Sequence, residues 1–103
     1  MEYLQTYFVY IVQCNDDSYY TGITNDIERR IAEHNSGVDV KSYTYLKRPV
    51  ELKYLATFQF VDQAIAFEKQ IKGWSRIKKE ALFISDWKKI IEISNEKNKA
   101  KKK

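Results

Sequence analysis

The chain has 103 residues and a net charge of +4, with 18 lysines and arginines against 14 acidic residues, one histidine and one cysteine. A lone cysteine cannot form an internal disulfide, and one cysteine with one histidine cannot build a structural zinc site. No apolar run approaches the ~20 residues of a membrane span and no charged-then-apolar leader opens the chain, so a small, reduced, soluble, cytoplasmic domain is expected. Five of the lysines lie within residues 97–103, and without them acids outnumber bases by one. Residues 1–93 therefore read as a single folded domain and residues 94–103 as a lysine-rich unstructured tail with nothing to bury.

Residues 7–14, from Tyr7 to Cys14, are almost continuously apolar and rich in β-branched and aromatic types, the pattern of a strand covered on both faces. Asn15-Asp16-Asp17-Ser18 is turn chemistry, and Ser18 to Ile23 reads as a second strand in an antiparallel hairpin with the first. Thr24-Asn25-Asp26 offers helix caps, with Glu28 three residues after Asn25 as in a capping box; the helix should end near Asn35, before Ser36-Gly37. Residues 38–49 read as a loop. From Val50 the chain alternates strictly, placing Val50, Leu52, Tyr54, Ala56, Phe58 and Phe60 on one face of a third strand. Asp62 begins a second helix that leads to Gly73, Ser75 caps a third, and Trp87 to Ile93 forms one or two last helical turns. The order strand-strand-helix-strand-helix-helix predicts the α+β class, a small three-stranded antiparallel sheet flanked by helices.

Two helices carry charge where they should pack. At ~100° per residue, Ile27, Arg30, Ile31 and His34 share one side of the first helix while Arg29 points into water. On the second, Val61, Ala64, Ile65, Glu68 and Ile71 share a stripe with Glu68 near its middle. A buried unpaired charge costs several kcal/mol, so either Arg30 and Glu68 form a structural ion pair or they line a polar pocket that takes a ligand's charges. With Tyr10 and Tyr20 on the adjacent hairpin, the second reading suits phosphodiester hydrolysis. A fixed arginine can neutralise charge on phosphate oxygens, and a lone carboxylate with water suits Mg²⁺. Lys47-Arg48 and the cluster Lys69, Lys72, Arg76, Lys78 and Lys79 are either solvated faces or a phosphate track. Cys14 is expected to pack in or near the core. Trp74 either closes a helix junction or stacks on a base, and Trp74 with Trp87 could instead anchor a protein partner.

Phe8-Val9-Tyr10, Tyr20-Thr21-Gly22, Arg30, His34 and Glu68, in that order, resemble the GIY-YIG nuclease superfamily, especially its small stand-alone bacterial (UPF0213-like) members. The likeness extends through Tyr19 to Asn35, Tyr43-Thr44 before Lys47-Arg48-Pro49-Val50, and Ala64 to Phe83. The resemblance implies the three-stranded fold and a divalent-metal-dependent endonuclease acting on DNA, with structured or branched DNA in repair or recombination as substrate. The alternative is a catalytically weak or inactive nucleic-acid-binding module on the same fold. Carried over by position, Glu68 would hold Mg²⁺ or Mn²⁺ and Arg30 would contact the scissile phosphate. Tyr20 would activate or position the attacking water, with Tyr10 and His34 in support. Which of the tyrosines or the histidine is the base stays open. The signature's first Gly-Ile pair is Phe8-Val9 here and its second isoleucine is Thr21. The asparagine that some family nucleases carry after the glutamate is absent between Glu68 and Asp86. Without the DNA-binding domain of larger relatives, affinity would come from Lys41, Lys47, Arg48, the cluster from Lys69 to Lys79, the lysine tail or a protein partner.

Overall fold

A computed structural model describes the backbone of residues 5–101 and the side chains as far as residue 95. The elements are β1 (Tyr7–Gln13), β2 (Tyr19–Thr24), α1 (Ile27–Ser36), a 3-10 turn (Tyr45–Lys47), β3 (Glu51–Phe58), α2 (Val61–Lys72), α3 (Arg76–Phe83) and α4 (Trp87–Lys101). The strands form one antiparallel sheet in the order β2-β1-β3, the expected α+β architecture. The chain divides into two compact units, one ending at Lys72 with the sheet, α1 and α2, the other beginning at Gly73 with α3 and α4.

β1 is the central strand, and Val9 to Val12 are buried, as an unbroken apolar run requires. At the hairpin turn, Cys14 donates its N–H to the Ser18 carbonyl at 2.8 Å, and Asp17 takes the left-handed conformation with φ 68°, which aspartate tolerates better than most residues. Cys14 is buried, as expected. The α1 cap differs from the capping-box reading: Asp26, not Asn25, accepts the Arg29 N–H at 3.1 Å, so Glu28 sits one residue too early to reach back. Gly37 ends α1 with φ 71°, a position a β-carbon would strain. Next to it, the Asn35 amide accepts from the Val50 N–H at 2.7 Å and donates to the Val50 carbonyl at 3.2 Å, tying the end of α1 to the start of β3.

The alternation expected from Val50 to Phe60 breaks at a bulge. Ile11 pairs with Tyr54 but Val12 pairs with Leu52, leaving Lys53 unmatched. Tyr54, Ala56 and Phe58 therefore share a face with Ile11, Val9 and Tyr7, whereas Val50 joins Tyr10, Val12 and Cys14 on the other face, against Tyr20, Ile27 and Ile31. Thus α1 covers the Tyr10 face. The opposite face is covered by α2, whose Phe67 meets Tyr54 and Phe58 at ring-centroid distances of 6.5 and 5.4 Å.

The inward stripe of α2 is also rotated from the sequence reading. Ala64 and Ile71 are fully buried, but Val61 and Ile65 are exposed. The aromatic pocket on β3 draws Phe67 inward, so the stripe is Ala64, Phe67, Glu68 and Ile71, and Glu68 lies on its flank. In the second unit Ser75 caps α3 by accepting the Lys78 N–H at 3.3 Å, and α3 packs on α4, with Ala81, Leu82 and Ile90 buried. The expected unstructured tail is corrected here: α4 continues past Ile93 to Lys101. Glu96, Lys97, Lys99, Ala100 and Lys101 are helix-favouring residues, and elongating a formed helix needs no new nucleus. Lys102 and Lys103, the end of that tail, lie outside the described residues.

Candidate active site

Tyr10 and Gly22 face each other across β1 and β2, and the glycine is forced: a β-carbon there would collide with the Tyr10 hydroxyl. With that space open, the phenol lies beneath α1, almost wholly buried. Its hydroxyl is 2.9 Å from His34 Nε2, and the Arg30 Nε–H donates to it at 3.3 Å. The next turn of the same helix supplies Glu33, whose carboxylate accepts from Arg30 Nη1 at 3.3 Å. On its far side the His34 ring places Nδ1 2.7 Å from the Thr44 hydroxyl, itself 3.1 Å from the Ser42 hydroxyl. A narrow recess lined by Arg30, Glu33, His34, Ser42, Thr44 and Tyr45 runs beside this chain of contacts.

Burial raises the Tyr10 pKa above its ordinary value against the opposing pull of Arg30, so the phenol stays protonated at neutral pH. Burial, reinforced by the Arg30 charge, lowers that of His34, which is therefore a neutral imidazole. For Arg30, burial pulls downward but the bonds to Tyr10 and Glu33 prevail and keep the guanidinium charged.

Tyr20 lies beside this group, its ring 5.3 Å from His34 edge-on and stacked on Tyr43 at 5.7 Å with 22° between planes. Lys47 Nζ sits 4.0 Å above the Tyr43 ring and 3.0 Å from Asp16, and the Tyr43 hydroxyl donates to Ser18 at 3.2 Å. Lys47 draws the Tyr43 pKa down, with help from Ser18.

The structure thus gathers Tyr10, Tyr20, Arg30 and His34 on the α1 face. Glu68 is on the other side of the sheet. Because Phe67 turns toward β3, Glu68, 100° further round the helix, turns toward β2, the edge strand that bears Tyr20. Val61 and Ile65, about two turns and one turn before it, line a shallow depression with Tyr7 of β1 and with Ile23, Thr24 and Asn25 of that same edge. The Glu68 side chain is 14% exposed and its described partner is Lys72 at 3.7 Å. The structural ion pair between Arg30 and Glu68 is not formed: their described partners are Tyr10 and Glu33 for one, Lys72 for the other.

Among the basic residues, Lys41 and Lys69 are exposed, as is Lys72. Arg48 is engaged within the loop, donating to the Tyr45 carbonyl at 2.6 Å and stacking on the Tyr45 ring, while Lys47 is paired with Asp16. In the second unit Arg76 pairs with Glu80 at 3.3 Å, Lys78 covers the Trp74 ring at 4.2 Å, and Lys79 is partly buried. Trp87 is exposed. Sequence reasoning gave no role to Glu33, Ser42, Tyr43 or Thr44. Only the resemblance singled out Tyr43-Thr44, since a loop has no periodicity to mark an inward side chain.

The family model of the GIY-YIG catalytic domain matches residues 6–81. This chain belongs to that family, a family of nucleases that act on DNA and generally use divalent metal ions. It is 47% identical over 75 residues to a UPF0213 protein of Halobacterium salinarum, covering 73% of this chain and 96% of that one. A UPF0213 protein of Staphylococcus saprophyticus is 45% identical over 76 residues, covering 74% and 92%. The solution NMR structure of the protein EF2693 from E. faecalis superposes with a TM-score of 0.57 at 34% identity, covering 82% of this chain and 90% of that one. Among the described residues no helix is long and apolar enough to cross a membrane.

Proposed function

We propose that the chain is an endonuclease that hydrolyses DNA phosphodiesters with the aid of Mg²⁺ or Mn²⁺, with structured or branched DNA as its substrates in repair or recombination. The observation that carries this reading is the seating of Arg30. Its guanidinium is held by Tyr10 through Nε and by Glu33 through Nη1, while Nη2 has no described partner and the side chain is 29% exposed. A cation fixed in this way meets a phosphate oxygen without reorganising, which is where preorganised charge lowers a barrier most.

The donor set fits a hard divalent ion. Glu68 is a single carboxylate, mostly buried, with a long ion pair to an exposed lysine, and no group of three or more histidines, cysteines or acids that could hold a metal occurs among the described residues. That suits an ion that keeps most of its water shell and binds through a single carboxylate and substrate oxygens. When bound, the ion polarises the phosphate and stabilises the leaving oxygen. In this reading Arg30 binds the scissile phosphate and Tyr20 orients the attacking water at the β2 edge, the strand shared by Glu68 and the α1-face group. Tyr10, protonated and buried, holds Arg30 in place and does not remove a proton. Lys41, Lys69 and Lys72, with Arg76, Lys78 and Lys79 of α3, supply backbone contacts, and a protein partner could add substrate choice.

The test is cleavage of labelled branched, nicked and single-stranded DNA by the purified chain with Mg²⁺ or Mn²⁺, with and without chelator. Cutting that is abolished by chelator and by Glu68→Gln and Arg30→Ala supports the reading; equal cutting by the variants refutes it. The separation of Glu68 from the α1-face contacts favours a second reading, a nucleic-acid-binding module with little catalysis. Salt-sensitive binding without metal-dependent cutting supports that one.

A further inference from the structure

His34 is the sole histidine in the chain, and the two residues that grip its ring settle which nitrogen carries the hydrogen. The Tyr10 oxygen already accepts from Arg30. Its own hydrogen, buried with the phenol, needs an acceptor, and the described one in reach is His34 Nε2. A neutral imidazole that accepts at Nε2 must carry its hydrogen on Nδ1, and Nδ1 is aimed at the Thr44 hydroxyl at 2.7 Å. Thr44 is itself almost fully buried and passes the sequence on to Ser42. With the opposite tautomer, Nε2–H would point at Tyr10, the phenol hydrogen would have no described acceptor, and Nδ1 would compete for the hydrogen of Thr44.

We propose that Thr44 is a positioning residue of the active site. By accepting from His34 Nδ1–H it selects the tautomer that takes the Tyr10 hydrogen, so that the phenol oxygen presents its lone pairs to Arg30 and fixes the guanidinium. The polarity runs one way, Tyr10 to His34 to Thr44, with Arg30 donating into its start. The consequence for cleavage rests on the function proposed above; the tautomer assignment does not. A methyl-bearing side chain is suited to the place, because its hydroxyl can be aimed inward while the rotamer stays locked. Valine keeps that shape and deletes the acceptor; serine keeps the acceptor and loses the shape.

The ring of a single histidine can be read directly by long-range ¹H–¹⁵N NMR on the full chain, well above neutral pH. The expected spectrum shows the Nδ1–H tautomer for the parent and for Thr44→Ser, and a shift toward Nε2–H in Thr44→Val. An Nε2–H parent, or a Thr44→Val tautomer identical to the parent's, overturns the proposal. If Thr44→Val fails to fold, Tyr10→Phe still decides it: with Thr44 left as the ring's described partner the Nδ1–H tautomer should persist, and a mixture of tautomers would overturn the proposal by assigning the selection to the phenol. In the cleavage assay Thr44→Val should lower kcat by roughly tenfold or more with little change in KM, and Thr44→Ser should restore most of it. Absence of cleavage by the parent would refute the proposed function and leave the spectral result standing.

Discussion

The two faces of the sheet solve opposite problems with the same β1 strand. On one, Val9 and Ile11 are buried together with Ala64 and Ile71 of α2, and Phe67 packs on Tyr54 and Phe58, a face closed by aliphatic and aromatic packing. On the other, Tyr10 is as deeply buried as its neighbours, yet its hydroxyl is held by Arg30 and His34, which are themselves held by Glu33 and Thr44. The first face gains stability from area removed from water, whereas the second spends burial on fixing directions. Substitutions on the α2 face should therefore change stability and spare chemistry, and those on the α1 face should do the reverse.

Glu68 is the exception, an α2 residue assigned to chemistry, and it gives the largest expected effect. Glu68→Gln should reduce metal-dependent cleavage about a thousandfold while leaving the melting temperature nearly unchanged, because a 3.7 Å pair to an exposed lysine contributes little. Arg30→Ala should cost about a hundredfold in kcat, and Arg30→Lys should not recover it, since an ammonium cannot hold both Tyr10 and Glu33 in a fork. Next in size is a stability effect on the opposite face: Ile71→Ala should lower unfolding free energy by about 2–5 kcal/mol in denaturant titrations, with cleavage per folded molecule unchanged. Thr21→Val is expected to act in the other direction. The Thr21 hydroxyl is buried on the α2 face without a hydrogen-bond partner, so its removal should raise stability by about 1 kcal/mol.

The smallest effect is on pH dependence. His34 has a lowered pKa in the folded chain, so between that value and the ordinary ~6.5 the unfolded chain holds a proton that the folded one does not. Stability from this source is complete above pH ~6.5 and is lost as pH falls toward the lowered value. Melting temperatures taken across that window should slope downward on acidification in the parent and lose that component in His34→Gln. A slope of the same size in both would show that the ring titrates freely.

Much of this organisation was legible from residue order. The apolar run of β1, the turn at Asn15 to Ser18, the stop at Gly37 and the inward row of Ile27, Arg30, Ile31 and His34 follow from local chemistry and period alone. What was not legible depends on pairing. Two helices that each turn a charge inward look as though they share a cleft, and only the strand order shows that α1 and α2 cover different faces. Phe67 outweighs Val61 and Ile65 for the inward place on α2 because rings from β3 await it, a partner no single-helix reading can supply. Thr44 was hidden for a related reason: its role is set by an imidazole ten residues earlier and not by its own neighbours.

The unmatched Lys53 has an effect out of proportion to its own side chain. Downstream of it every residue of β3 has exchanged sides relative to upstream pairing with β1, which is how one strand floors both the helix that carries the histidine and the helix that carries the glutamate. Drawing Lys53 into the ladder opposite Val12 would therefore do more than straighten an edge. It would turn Val50 and Leu52 over, take the floor from beneath Tyr10 and Cys14, and drag the Asn35 clamp out of step with the end of its helix.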